Sequence, residues 1–258
     1  MRIDAHQQFL NHGRFEYPSL PSQLDKDYLP AHVATILKRN RFDGLIAIAL
    51  TTSAGETRWL LEQAEQNEMI MGVVGGSGDP RLLDEWEQFP KLRGVRLSPQ
   101  ALTRDKLHDL AARRLICEVP AEASDLQAIA HEAADTAGLH LVIDHLGKPD
   151  PRADSIDPWL RGMEQLAQIP GVYVKLSGLL TLATPPATPE ELRPLIHHLM
   201  RTFGPDRLMF GSDWPFCLTV ADLWKAALAL FTQALGAQSI EVRSKLLGDT
   251  ARACYRLA

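Results

Sequence analysis

At 258 residues the chain fits two small domains or one α/β barrel, which typically needs about 250 residues, and its 45% hydrophobic content suits a sizeable core. A formal net charge of -5, with basic residues not clustered, argues against nucleic acid as a partner. The longest clean apolar runs, such as Leu45–Leu50, fall far short of the roughly 20 residues that span a bilayer, so no membrane partner is expected.

The start, Met1-Arg2-Ile3-Asp4, has no apolar signal-peptide core. The three cysteines, Cys117, Cys217 and Cys254, are odd in number and lack CxxC spacing. That pattern suits a reducing cytoplasm and disfavours a cysteine zinc site, so the expected location is cytoplasmic.

Eight strand-like runs follow in order: Arg2–Ala5, Gly44–Leu50, Ile70–Val74, Gly94–Leu97, Leu115–Val119, His140–Asp144, Val172–Leu176 and Arg207–Phe210. Most are continuously apolar rather than alternating, as expected of strands covered on both faces. A helix-like segment follows nearly every one. Ser53 with Glu56 reads as a capping box, and Asp79-Pro80 and Asp157-Pro158 each place a capping oxygen before a first-turn proline. Thr188-Pro189-Glu190-Glu191 combines both signals. Strand–helix alternation of this kind predicts βαβ units and a parallel sheet.

Eight units in about 250 residues favour a closed α/β architecture, a single-domain (β/α)8 TIM barrel over residues 1–258, rather than a doubly wound sheet. Gly72, Gly75, Gly76 and Gly78 lack GxGxxG spacing and read as loop glycines rather than a dinucleotide cradle. The Tyr- and Pro-containing stretch Asn11–Leu29 reads as a long first βα loop with a functional role.

In such barrels the C-terminal strand ends build the active site. Here they carry Asp4 and His6, Arg96 and Ser98, Glu118, Asp144 and His145 followed by Lys148, Lys175 and Ser177, and finally Asp213. Any one alone reads most simply as a cap or a structural hydrogen-bonder. Their recurrence at one end of at least six strands is harder to assign to structure, because burying charge without use is costly.

Five strings carry a family resemblance: Asp4-Ala5-His6-Gln7, Gly94-Val95-Arg96, Asp144-His145-Leu146-Gly147-Lys148-Pro149, Lys175-Leu176-Ser177-Gly178 and Phe210-Gly211-Ser212-Asp213-Trp214-Pro215. In them the chain resembles the amidohydrolase-related proteins, from Ile3 to Tyr255. The branch it resembles is that of the sugar lactonases, which includes L-fucono- and L-rhamnono-lactonases, with 2-pyrone-4,6-dicarboxylate lactonase a relative. The resemblance implies a (β/α)8 barrel and a hydrolase opening the ester of a small carbohydrate-type lactone, an enzyme of carbohydrate catabolism. Two departures stand out. The second histidine of the family's first-strand His-x-His is Gln8 here, and strands four and five offer Arg96 and Glu118 where metal-holding relatives place a lysine carboxylate or glutamate and a histidine. Since some lactonases of this branch work without metal, no cofactor is required on this reading. A divalent metal such as zinc is left open, with His6, His145 and Asp213 as its candidate ligands and Glu118 or Gln8 as further ones.

Lactone hydrolysis needs a nucleophilic water and a polarised carbonyl. The expected general base is Asp213, with His6 and His145 as hydrogen-bond donors to the carbonyl oxygen. Arg96, Lys148, Glu118 and Lys175 are the expected polar substrate contacts, and Trp214 a flat wall for the ring. For Lys175 the alternative is an internal pair with Glu118. The expected partner is a small-molecule lactone, and an oligomer is left open. Two competing functions are a metal-dependent amidohydrolase or decarboxylase of the same superfamily, and a catalytically silent small-molecule binding protein.

Overall fold

The computed structural model describes residues 1–18 and 20–258; Ser19, inside the Asn11–Leu29 segment, lies outside the described residues. Eight strands run β1 Ile3–Gln7, β2 Gly44–Ile48, β3 Ile70–Gly75, β4 Leu92–Arg96, β5 Ile116–Val119, β6 Leu141–Ile143, β7 Val172–Leu176 and β8 Leu208–Phe210. They pair in parallel, in sequence order. The ring closes where Gln8 N donates to Trp214 O (2.8 Å) and Asp213 N to His6 O (3.0 Å). The single-domain (β/α)8 barrel of the sequence reading is the fold observed.

Helices α1 Pro30–Arg39, α2 Ala54–Gln66, α3 Pro80–Trp86, α4 Arg104–Ala112, α5 Leu126–Ala133, α6 Asp157–Ala167, α7 Pro189–Thr202 and α8 Lys225–Leu235 follow the strands. Among the described residues no helix is long and apolar enough to cross a membrane. Two of the four predicted caps form as expected. Asp79 accepts from Arg81 N, and Thr188 with Glu191 closes a full capping box. Ser53 does accept from Glu56 N, but Glu56 turns away and accepts from the Leu50 and Thr51 amides instead. Asp157 lies inside α6 and makes no cap bond, its amide being taken by Ser155 Oγ. The amides of the turn just after β2, together with the Thr51 hydroxyl, take the Glu56 carboxylate that the box would have used.

Continuous apolar strands bury on both sides because helices cover the outside while the inside fills with side chains. The lower interior layer is apolar, holding Ile3, Ala5, Ile46, Ile48, Ile116 and Met209. The chain end, α9 Ile240–Ser244 and α10 Thr250–Cys254, returns beneath it, so that Tyr255 packs into the same cluster. Not all the predicted loop glycines are loop residues: Gly72 and Gly75 lie within β3.

Gly211, just after β8, is required by close approach. A Cβ there would stand 2.6 Å from His6 Cβ and 3.0 Å from Ser177 Cβ. Gly211→Ala is expected to cost about 1–3 kcal/mol by overpacking, read as a lower melting temperature. An unchanged melting temperature would reject the contact.

Candidate active site

The strand order brings the ionisable strand ends of β1, β4, β5, β6, β7 and β8 to one end of the barrel. Pairing along β1 slips between Asp4 and Gln7, so the simple alternation breaks and His6 joins Ala5 in facing the interior. Asp4 serves the frame. Its carboxyl, fully buried, accepts from Ser212 N (2.8 Å), Gln7 Nε2 (2.6 Å) and Trp224 Nε1 (3.0 Å), tying β1 to the loop after β8.

A buried charged layer sits above the apolar one. Lys175 Nζ lies 2.6 Å from Glu118 Oε2, 3.3 Å from Asp144 Oδ1 and 3.2 Å from His6 Nδ1. The Tyr255 hydroxyl donates to the other Glu118 oxygen from below. Asp144 Oδ2 accepts from Arg96 Nε at 3.0 Å. Burial alone would raise the Asp144 carboxyl, yet Lys175, His6 and Arg96 together hold it well below the usual range. Burial and the neighbouring Lys175 ammonium push the His6 imidazole down to about 4, so this ring is neutral at neutral pH. Burial, with His6 beside it, lowers His145 as well.

Two loops carry left-handed backbone at the rim. His145, Leu146, Gly147 and Lys148 have φ of 52°, 58°, 68° and 45°, and Asp213 has 60°. Non-glycine residues held there cost on the order of 1–3 kcal/mol each and cluster at functional sites. Trp159 Nε1 donates to Leu146 O (2.6 Å) to fix the turn, and Gly147 leaves no room for a Cβ against Met163 and Leu126. That turn aims the His145 ring at His6, with centroids 4.6 Å apart, while Ser177 Oγ meets His145 Nδ1 at 3.0 Å.

Above these groups opens a cavity of about 340 Å³. Its polar wall is Gln8, Arg96, His145, Lys148, Thr181 and Asp213; Leu50, Leu182 and Phe216 supply the apolar part. The Asp213 carboxyl, almost fully buried, is pushed up to about 7 by desolvation, which Arg96 opposes and Asp144 and Asp4 reinforce. Arg96 spends one nitrogen on Asp144, and its two terminal nitrogens have no protein hydrogen-bond partner among the described residues. Lys148 stands at the exposed rim, 3.8 Å from Glu122.

The structure thus brings Asp213, His145, Arg96 and Lys148 to one cavity, and sets four expected site residues outside its wall. His6 is fully buried below, its Nε2 3.7 Å from Asp213 Oδ1. Glu118 and Lys175 pair with each other one layer down, the alternative raised for Lys175, and neither lines the cavity. Trp214 turns into the core against Phe9 and Tyr28, at ring distances of 5.9 and 5.3 Å. The aromatic wall is Phe216 instead, two residues on, at the foot of a short 3-10 turn. Thr181 and Leu182, after β7, reach the cavity, whereas none of the described residues of Asn11–Leu29, the loop expected to be functional, lines it. Asp144, placed between Arg96, Lys175 and His6, is the buried residue beside the cavity that sequence reasoning left without a role, although it stands first in the string that carries His145.

Among the described residues His6 Nε2 is buried without a hydrogen-bond partner, and His6, His145 and Asp213 bring one ligand atom each to within 4.8 Å of one another. Two imidazoles and a carboxylate with an open fourth position are a donor set of the kind catalytic zinc takes, so these residues fit a metal. The other such trio, His6, Glu118 and Asp144, surrounds the Lys175 ammonium.

The family model described as Amidohydrolase matches residues 3–257. An L-fucono-1,5-lactonase of Burkholderia multivorans is 32% identical, the alignment covering 100% of this chain and 96% of that protein. An L-fucono-1,5-lactonase of Burkholderia ambifaria is 30% identical over 83% of this chain and 80% of its own length. A crystal structure of an amidohydrolase from Burkholderia multivorans with bound zinc superposes with a TM-score of 0.89 at 30% identity, covering 100% of both chains.

Proposed function

The chain belongs to the amidohydrolase family, and on that premise we propose that it hydrolyses a small carbohydrate-derived lactone of the L-fucono-lactone kind, using water activated by Asp213. The observation that carries this reading is a buried carboxyl, raised to about 7, in one cavity with His145 and Arg96. A base poised near the working pH combines the right protonation state with driving force for proton transfer. Asp213 takes a proton from water as the oxygen attacks the lactone carbonyl. It returns that proton to the ring oxygen as the C–O bond breaks, giving the hydroxy acid. A ring N–H of His145 donates to the carbonyl oxygen as negative charge develops there. The free Arg96 nitrogens and Lys148 bind substrate hydroxyl or carboxylate oxygens, and Phe216 and Leu50 cover the ring's apolar face. His6 stands behind Asp213 and orients it.

A divalent ion, held by His6, His145 and Asp213, would polarise the carbonyl and acidify a bound water. The proposal requires none.

Activity has a signed pH dependence. The base works ionised, so kcat/KM is expected to rise with pH through about 7 and to fall away below it. A pH-indicator screen of aldonolactones, with metal analysis and prolonged chelation of the same sample, tests the whole reading. Acid release that survives chelation supports it. Thermal stabilisation by lactones without acid release would mark a binding protein, and loss of activity restored by zinc would make the enzyme metal-dependent.

A further inference from the structure

The buried charged layer contains a residue whose position the reaction above does not use. Lys175 Nζ makes a hydrogen bond of 3.2 Å with His6 Nδ1. The competing acceptor is Asp144 Oδ1, 3.4 Å from the same nitrogen, yet among the described residues that oxygen has no well-aligned hydrogen-bond partner. An ammonium only donates, so Nδ1 in this pair is an acceptor. A neutral imidazole that accepts at Nδ1 carries its proton on Nε2. His6 Nε2 faces Asp213 Oδ1 at 3.7 Å. In that tautomer an N–H dipole points at the carboxylate; in the other, a lone pair would face it.

We propose that Lys175 is a positioning residue that locks His6 in its Nε2–H tautomer, so that His6 presents a donor to Asp213. The lock is built from below. Glu118 holds the ammonium at 2.6 Å, and the Tyr255 hydroxyl, brought under the barrel by the end of the chain, holds Glu118. Tyr255, Glu118, Lys175 and His6 form one hydrogen-bonded file, and its last nitrogen, His6 Nε2, stands 3.7 Å from Asp213 Oδ1. All of it is buried, so water cannot substitute for a missing member. The same proton keeps the Nε2 lone pair from a metal ion, which would have to displace it to use His6 as a ligand.

The inference deepens the reading of Asp213 as the base, and its test separates the two. Nitrogen-15 NMR of the wild-type protein, with His6 assigned by its loss in His6→Gln, is expected to show Nδ1 unprotonated and Nε2 protonated. A protonated Nδ1 in the wild type overturns the inference and leaves the lactonase reading standing. Lys175→Met combined with Glu118→Gln removes the donor and keeps the buried charge balanced. In that variant the tautomer is expected to reverse, Nδ1–H turning to Asp144. For the lactone turned over by the wild type, kcat is expected to fall by about 10–100-fold, with KM changed less than about threefold. An unreversed tautomer, or an unchanged kcat with a reversed one, overturns the positioning role. If the variant does not fold, the wild-type spectrum alone decides.

Discussion

Asp213→Asn is expected to lower kcat for lactone opening by about 10²–10⁴-fold, the usual contribution of a general base, while making the folded protein more stable above pH 7. The two effects share one cause. Burial raises this carboxyl from 3.8 to about 7, and Arg96 offsets only part of that. A carboxyl whose folded pKa is raised contributes stability that is fully present below its unfolded value and lost as pH rises through about 7. Above that pH the folded state bears the cost of an ionised, nearly dry carboxylate, on the order of 1.4 kcal/mol for each pH unit of displacement. Asparagine keeps the shape and removes the charge, so the melting temperature at pH 8 should rise as turnover vanishes. A variant that stays active, or that loses stability at pH 8, would refute the assignment of Asp213 as a strained base.

Lys175→Met alone should destabilise the barrel strongly. Lys175 and Glu118 are both fully buried, 2.6 Å apart, with Asp144 at 3.3 Å on the other side of the ammonium. Removing one partner of a buried pair strands the rest, at a cost of about 3–5 kcal/mol. For a domain of this size that is a fall in melting temperature on the order of 10 °C. Adding Glu118→Gln removes one stranded carboxylate and is expected to recover most of the loss. Thermal melts of the single and double variants decide this: additive losses would mean that the two side chains do not act as a pair.

Much of this molecule is local and was therefore readable. Runs such as Leu45–Ile48 and Leu208–Phe210 are apolar without alternation because both faces are covered, and a residue's neighbours in sequence report that directly. The Thr188 box is equally local and forms as read, whereas Glu56 answers to amides after β2 and escapes its own box. The site's rim was legible for the same reason. Asp213, His145, Arg96 and Lys148 each stand at or just beyond a strand end, and parallel strands in one barrel must bring those ends to one face.

Depth was not legible. Strand periodicity tells inside from outside but not how far along the axis a side chain lies. Glu118 and Lys175 therefore looked like cavity residues and proved to be the layer beneath it. The slip in β1 is invisible in the sequence, yet it sets His6 behind Asp213 rather than in the wall. The left-handed turn at Asp213 sends Trp214 into the core and leaves Phe216 to line the cavity. By itself the sequence determined the barrel, because strand–helix patterning repeats eight times, and the family, whose resemblance five short strings at the strand ends carry. Only the tertiary structure decided which charges face the cavity and which face each other. That depends on backbone turns and register slips, which residue types do not encode one at a time.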